Sequence, residues 1–342
     1  MTTALIVDWL GRGGIAQTTE SWTIELRKAG HSIGVVTRRG RELDGIGNLA
    51  PGSAHRSGIP GHLRLIGETV ALIDRLRPDV VIVQNYVIPL LEERVHRAAR
   101  RTGARVVFVV HDHHLHARMA GSHAGLSSLV RRADIVAAHS AFVGSSIEQR
   151  TGRGVTLLPL PAPLGVIGEG GEASTGGTGA ARPLAIHFGV LHRAYKGTDT
   201  VIETARLRQE SWRFQVVGVG AKSAPGVDAI DRFVTAAELR ERLAASAATL
   251  LPYRYATQSA AVLLAQLVGS VPVASAIGGI PEQIEDGRTG ILLPRGAPAT
   301  EWAAALDRLA DDDVRDEMAV AGRLDAWRRH EDFAHSVEAI VA

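Results

Sequence analysis

Lys196 and Arg193 stand within four positions of each other, just before Gly197 and the helical pattern that begins at Thr198. Two cations where a helix starts can neutralise a bound diphosphate, because the free backbone N–H groups of a first helical turn add to their charge. Thr257, Gln258 and Ser259 occupy a second such place, ahead of the apolar run from Ala260. Ser259 either caps that helix or offers its hydroxyl to an anion. His111 and Asp112 follow an apolar run, with His113, His114, His116 and His123 close behind. That spacing is neither the helical His-Glu-x-x-His pattern nor a Cys/His finger, so a single cleft histidine hydrogen-bonding a substrate is the simpler expectation and no metal is expected. A group of this kind suits the binding of a phosphate or diphosphate.

Such residues need parallel strands behind them. Apolar runs at Ala4–Asp8, Ile33–Thr37, Val80–Val83, Arg105–Val110, Ile135–Ala138 and Val155–Leu160 read as strands. Helical patterns lie between them at Gln17–Ala29, His62–Leu76, Pro89–Arg101, Leu126–Arg132 and Ala141–Thr151, the last capped by Ser140. The alternation predicts an α/β fold with parallel sheets. Gly13 and Gly14 follow the first strand, where a small turn lets backbone approach a ligand, although the spacing is not that of a dinucleotide fingerprint. Asn85, His111 and Asp112 fall at the carboxyl ends of strands, where open α/β sheets collect ligands.

Pro161 to Pro183 is dominated by Gly, Pro and Ser, and a second run of strands and helices follows. Strands are expected at Leu184–Phe188, Phe214–Val217, Thr249–Leu251 and within Gly287–Leu293; helices at Thr198–Arg208, Thr235–Ser246, Glu301–Leu309, Asp313–His330 and Asp332–Val341. Two domains are thus expected, at residues 1–162 and 184–342, joined by a linker at 163–183, with the final helix able to pack back on the first.

The 342 residues contain no cysteine, which excludes disulfides and thiolate chemistry, and no apolar run approaches the length of a membrane span. With no leader-like start, the expected location is cytoplasmic. The net charge is +2, but up to Gly165 there are 20 Lys and Arg against 13 Asp and Glu, and after it 18 against 23. The basic first half could meet an anionic acceptor or a membrane surface peripherally, or be an ordinary solvated surface.

Taken together, the glycine turn at Gly13 and Gly14, His111-Asp112, Lys196-Gly197, and the succession Pro272-Val273-Ala274-Ser275, Gly278-Gly279-Ile280-Pro281-Glu282 and Asp286-Gly287-Arg288-Thr289-Gly290 resemble the family-four, glycogen-synthase-like retaining glycosyltransferases. The resemblance spans nearly the whole chain. It implies a GT-B fold of two Rossmann-like domains facing a cleft, the first taking the acceptor and the second a nucleotide sugar. It implies a UDP- or GDP-sugar donor, a small-molecule or glycan acceptor, no further cofactor, no metal and no nucleic-acid partner. Lys196, Arg193 and His111 would be catalytic. Gly13, Gly14, Gln258, Ser259, Ala260, Tyr253, Gly218 and Glu282 would hold the donor, and Asn85, Asp112 and His114 would face the acceptor. Bacterial carbohydrate or secondary-metabolite biosynthesis is the expected setting.

The chain departs from the family where two glutamates usually stand eight positions apart. Alignment on Pro272 puts Thr257 and Ala265 there, and alignment on Gly269 puts Ala256 and Leu264. The usual arginine just after Gly189 is Val190. A catalytically silent protein of the same fold, binding a sugar nucleotide or a partner enzyme, is the competing expectation; a sugar-nucleotide epimerase fits the later motifs less well.

Overall fold

The computed structural model describes residues 1–38, 49, 58–112, 122–167 and 182–342. The chain divides into two compact units, Met1–Pro161 with His330–Ala342, and Ala162–Arg329.

The first unit alternates β1 (Thr3–Asp8), α1 (Gly13–Lys28), β2 (Ser32–Thr37), α2 (Gly58–Leu76), β3 (Val80–Val83), α3 (Pro89–Thr102), β4 (Arg105–Val110), α4 (Ser122–Arg132), β5 (Ile135–Ala138), α5 (Ala141–Thr151) and β6 (Thr156–Leu157). Its sheet has the order β2-β1-β3-β4-β5-β6, and every pairing between these strands is parallel. The strands are apolar on both faces because both are covered. Leu5, Val7, Val81, Val83, Val106 and Phe108 pack on one face with residues of α2, α3 and α4. The alternate residues Ala4, Ile6, Val80, Ile82, Val107 and Val109 pack on the other, against Trp22, Leu26, Phe333 and Val337. Phe333 and Trp22 are fully buried and meet edge to face at 5.7 Å between ring centroids. Each large side chain hidden in this way contributes roughly 2–3 kcal/mol.

The second unit begins with a short helix α6 (Leu164–Ile167), within the glycine- and proline-rich stretch expected as a linker; residues 168–181 lie outside those described. It continues β7 (Leu184–Phe188), α7 (Thr198–Arg208), β8 (Arg213–Val217), β9 (Val227–Ile230), α8 (Ala236–Ala244), β10 (Ala248–Leu251), α9 (Ala260–Val268), β11 (Val271–Ser275), β12 (Ile291–Leu293), α10 (Ala299–Leu309) and α11 (Asp312–Val341). This sheet, again paired in parallel, has the order β12-β11-β10-β7-β8-β9.

Besides the short helix α6 in the expected linker, three elements differ from the sequence expectation. β9 was not foreseen, because its pattern is half-exposed and lies at a sheet edge. The strand expected at Val155–Leu160 pairs over only two residues, both exposed. The two final helices are one, α11, since no glycine or proline interrupts Arg323–Val341 and the Asp311 carboxylate already caps the start by accepting from the Asp313 and Val314 N–H groups. The second unit holds α11 up to Arg329, and the first from His330.

Candidate functional site

In each unit the strand order reverses beside the first strand, between β1 and β3 in the first and between β7 and β10 in the second. The crevice at such a switch point, beyond the carboxyl strand ends, is where open α/β sheets take ligands.

In the second unit Lys196 follows β7. Residues Ala194–Lys196 form a single 3-10 turn that ends on Gly197 in the left-handed region, with α7 beginning at Thr198. The Lys196 side chain folds back over Gly189, the residue that follows β7, and its Nζ lies 4.0 Å from the Tyr253 ring centroid and 5.5 Å from that of Tyr195. Burial alone would lower the Lys196 pKa, but the tyrosines outweigh it and the net direction is upward, so Nζ is an ammonium at neutral pH. The Tyr253 ring face attracts that cation. Arg193 is exposed at the start of the turn, and its carbonyl accepts from the Lys196 N–H at 2.9 Å.

Across the switch point, the loop after β10 leads from Tyr253 to α9. Ser259 takes the N-cap position of α9 with extended backbone, yet its hydroxyl makes no capping bond. The buried Gln283 amide braces the residue instead: its Oε1 accepts from the Ser259 N–H at 2.8 Å and its Nε2 donates to the Ser259 carbonyl at 3.0 Å. Ala260 and Ala261, the first residues of α9, have no acceptor within the helix for their N–H groups. Gln258 is half-buried beside them and Glu282 is exposed. Gly278 is held at φ +54°, and a Cβ there would sit 1.9 Å from the Ala256 carbonyl oxygen. Thus the Gly278-Gly279 turn lies directly against the loop preceding α9, with the Gly279 N–H donating to Thr257 at 2.9 Å. Gly218, expected against the donor, has its N–H donated to the Ile230 carbonyl and its α-carbon pressed on Gly189, where a Cβ would meet the carbonyl oxygen at 1.9 Å. The loops after β7 and β8 are therefore packed backbone to backbone.

In the first unit Gly13 and Gly14 do not form a turn ahead of the helix; they are the first two residues of α1. The space beside the Gly13 α-carbon is open. The turn that feeds α1 is held by Asp8, at the end of β1. Its Oδ1 accepts from the Leu10 N–H (2.9 Å), the Gly11 N–H (3.0 Å) and the Asn85 amide (2.8 Å), and its Oδ2 accepts from the Thr19 hydroxyl at 3.3 Å. Burial raises the Asp8 pKa, and these donors counteract that rise. Asn85, expected to face an acceptor, directs its amide oxygen at the Trp9 N–H (2.9 Å), so both ends of its amide tie β3 to the β1 turn.

His111 directly follows β4. It is buried, with Nε2 3.2 Å from the Gln84 amide oxygen and its ring 5.0 Å from that of His139. Since the amide oxygen only accepts, Nε2 carries the proton. Burial, and secondarily His139, hold the His111 pKa well below its ordinary value, so the ring is neutral near pH 7. Asp112 is half-buried and its carbonyl accepts from the Tyr86 hydroxyl at 2.8 Å. His114, with His113 and His116, lies outside the described residues, as does the side chain of His123.

The sequence reading passed over two side chains beside Lys196. His187, fully buried on β7, bonds the Leu250 carbonyl through Nδ1 at 2.8 Å and the Thr198 hydroxyl through Nε2 at 3.2 Å. Arg254 bonds the Lys196 turn through its backbone and its guanidinium. A histidine inside an otherwise apolar strand was the available signal for the first; nothing in the sequence marked the second.

Residues 12–160 match the family model described as Glycosyltransferase Family 4, and residues 182–312 match the one described as Glycosyl transferases group 1. Among curated proteins, the chain is 33% identical over 141 residues to a D-inositol 3-phosphate glycosyltransferase of Corynebacterium aurimucosum, covering 35% of this chain and 33% of that protein. It is 32% identical over 138 residues to a glycogen synthase of Thermus thermophilus, covering 36% and 30%. The matched segment thus spans about a third of the length of these relatives. Among solved structures, a glycosyltransferase of Rickettsia africae superposes with a TM-score of 0.78 at 14% identity, covering 99% of this chain and 97% of that one. HepE of Anabaena, in complex with UDP and glucose, superposes with a TM-score of 0.74 at 15% identity, covering 100% and 98%. At such identities these two likenesses speak to the fold. The chain therefore has the GT-B fold, with residues 12–160 similar to the Glycosyltransferase Family 4 model and residues 182–312 similar to the group 1 glycosyl transferase model.

Proposed function

We propose that this protein is a glycosyltransferase that moves a hexose-type sugar from a UDP- or GDP-sugar to a hydroxyl of a small-molecule or glycan acceptor, with retention of anomeric configuration. The observation that carries the reading is the Lys196 ammonium, folded over the end of β7 at the switch point of the second unit. As the bond between the anomeric carbon and the diphosphate oxygen breaks, charge grows on the diphosphate, and a preorganised cation there lowers the barrier. The acceptor oxygen forms its bond to the anomeric carbon on the same face, and its proton passes to the departing phosphate oxygen. Arg193 adds a second charge at the mouth of the turn. The open N–H groups of Ala260 and Ala261, with the Gln258 and Ser259 side chains, hold the donor at the start of α9, alongside Tyr253 and Glu282. Gly218 supports this site through its packing on Gly189. Neutral His111 supplies a hydrogen bond to the sugar, and Gly13, Gly14, Asp112 and, from the sequence alone, His114 are the remaining first-unit residues of this proposal. UDP bound to HepE supports the choice of donor class.

No helix among the described residues is long and apolar enough to cross a membrane. A cytoplasmic location and peripheral contact through the basic first half belong to the same proposal. Much of the charge on α3 and at the end of α4 is already engaged within the unit, however: Arg97 and Arg132 with Glu93, Arg101 with Asp74, and Arg100 with Asp134.

The absence of a carboxylate at Thr257 and Ala265, or at Ala256 and Leu264, favours a second reading, a silent binder of sugar nucleotides. Release of UDP or GDP from a panel of their sugars separates the two. Transfer is expected, and Lys196→Ala should lower kcat by 100-fold or more, about 3 kcal/mol. Near-normal turnover by that variant removes Lys196 from the mechanism, and binding without turnover by the wild type establishes the silent reading.

A further inference from the structure

The turn that carries Lys196 has only three residues of 3-10 helix and an exposed outer face, so by itself it gives the ammonium no fixed place. Two groups from the other side of the switch point grip it. The Arg254 N–H donates to the Tyr195 carbonyl at 2.7 Å, and its guanidinium donates to the Ala194 carbonyl at 2.9 Å and to the Asp199 carboxylate at the start of α7. One arginine thereby holds the residues on both sides of Lys196. From beneath, His187 spans the gap between the Leu250 carbonyl on β10 and the Thr198 hydroxyl. A carbonyl only accepts, so Nδ1 carries the proton and Nε2 accepts from Thr198. Between the two grips, Gly197 lies so close to the Pro252 carbonyl oxygen that a Cβ would fall 2.0 Å from it.

We propose that Arg254, together with His187 acting through Thr198, positions Lys196 over the switch point, so that the ammonium meets the donor diphosphate already aimed. The proposal rests on the reading of Lys196 as the diphosphate cation. Energetics favours positioning over stability as the role of Arg254: the Arg254 and Asp199 side chains are 47% and 59% exposed, and exposed ion pairs contribute little to folding. A small misplacement of a preorganised group, in contrast, costs rate heavily. Lysine cannot replace this arginine, because a point charge cannot reach the Ala194 carbonyl and the Asp199 carboxylate as the planar fork does.

The test compares wild type, Lys196→Ala, Arg254→Met, Arg254→Lys, Thr198→Val and the double variant Lys196→Ala/Arg254→Met. Affinity is measured for UDP and for GDP by titration calorimetry, and each variant is also melted. Lys196→Ala should weaken the better-bound nucleotide about tenfold. Arg254→Met, Arg254→Lys and Thr198→Val should each weaken it about three- to tenfold, with Arg254→Met melting within roughly 2 °C of wild type, as expected for loss of an exposed pair. The double variant should bind no worse than Lys196→Ala alone, because a positioning residue has nothing left to position. Wild-type affinity in the Arg254 variants, or a double variant weakened by the product of the single effects, overturns the clamp and leaves Lys196 its role. Unchanged affinity in Lys196→Ala overturns both.

Discussion

Gly197→Ala isolates the close approach that fixes the Lys196 turn. Gly197 has φ +71°, and its added Cβ would lie 2.0 Å from the Pro252 carbonyl oxygen and 2.9 Å from its carbon. Gly296, in the same unit, has φ +78° with open space around the same position. Both substitutions force alanine into the left-handed region at about 1–2 kcal/mol. Only the first also forces backbone apart, by more than an ångström to reach ordinary contact, and strain of this kind adds roughly 1–3 kcal/mol. Gly197→Ala should therefore cost about 2–5 kcal/mol and Gly296→Ala about 1–2 kcal/mol. At about 2–4 °C per kcal/mol for a domain of this size, the expected drops are roughly 4–20 °C and 2–8 °C. Melting followed by circular dichroism measures both, and nucleotide release from the sugar donor at a temperature where each variant is folded measures the rate. Gly197→Ala should also lose at least about tenfold in kcat, since the displaced residue adjoins Lys196, whereas Gly296→Ala should retain its rate. Equal melting temperatures for the two variants would refute the energetic role of the Pro252 contact. A normal rate in a destabilised Gly197→Ala would refute the coupling between this turn and catalysis.

Two further substitutions probe groups buried away from the reacting atoms. His96 on α3 packs edge to face on Phe108, with neither ring nitrogen hydrogen-bonded among the described residues, and burial lowers its pKa to about 4. It is neutral in the native state, so its contribution is fully present above the unfolded value near 6.5 and is lost as pH falls towards 4, by up to about 1.4 kcal/mol per pH unit. His96→Leu should raise stability by about 1 kcal/mol at pH 7 and should show a smaller fall in melting temperature between pH 7 and pH 5 than wild type. Gln283→Leu strands the buried Ser259 N–H, while the Ser259 carbonyl keeps the Val262 N–H; a loss of about 1–3 kcal/mol in urea melts is expected, along with weaker UDP or GDP binding at the loosened start of α9.

Much of the architecture was legible because parallel strands covered on both faces are written as short, nearly continuous apolar runs. Val80–Val83, Arg105–Val110, Ile135–Ala138 and Leu184–Phe188 match their observed limits. What escaped had no such local signature. β9 is a half-exposed edge strand, and the acidic pair Glu331-Asp332 imitates a helix start inside α11, where continuing backbone bonds and the burial of Phe333 and Val337 decide otherwise. Long-range polar pairing was equally silent. Asp8 and Asn85 are separated by 77 positions and His187 and Leu250 by 63, so neither partnership could be read before the strand order was known.

The stretch from Gly278 to Gln283 shows how a motif can be recognised correctly while its physical work lies partly elsewhere. Its glycines bring the turn against Ala256 and Thr257, and that contact delivers Gln283 to Ser259. Gln283 bonds both Ser259 backbone groups, the Ser259 hydroxyl makes no capping bond, and the first N–H groups of α9 have no acceptor within the helix. The two candidate positions for the second family glutamate, Leu264 and Ala265, are 3% and 0% exposed, and an unpaired carboxylate at that depth would be costly. The start of α9 is thus suited to gripping an anion with neutral donors while Lys196 supplies the charge. If the proposed donor site holds, recognition in that arrangement falls mainly on the diphosphate, and the placement of Lys196 by its turn becomes correspondingly decisive.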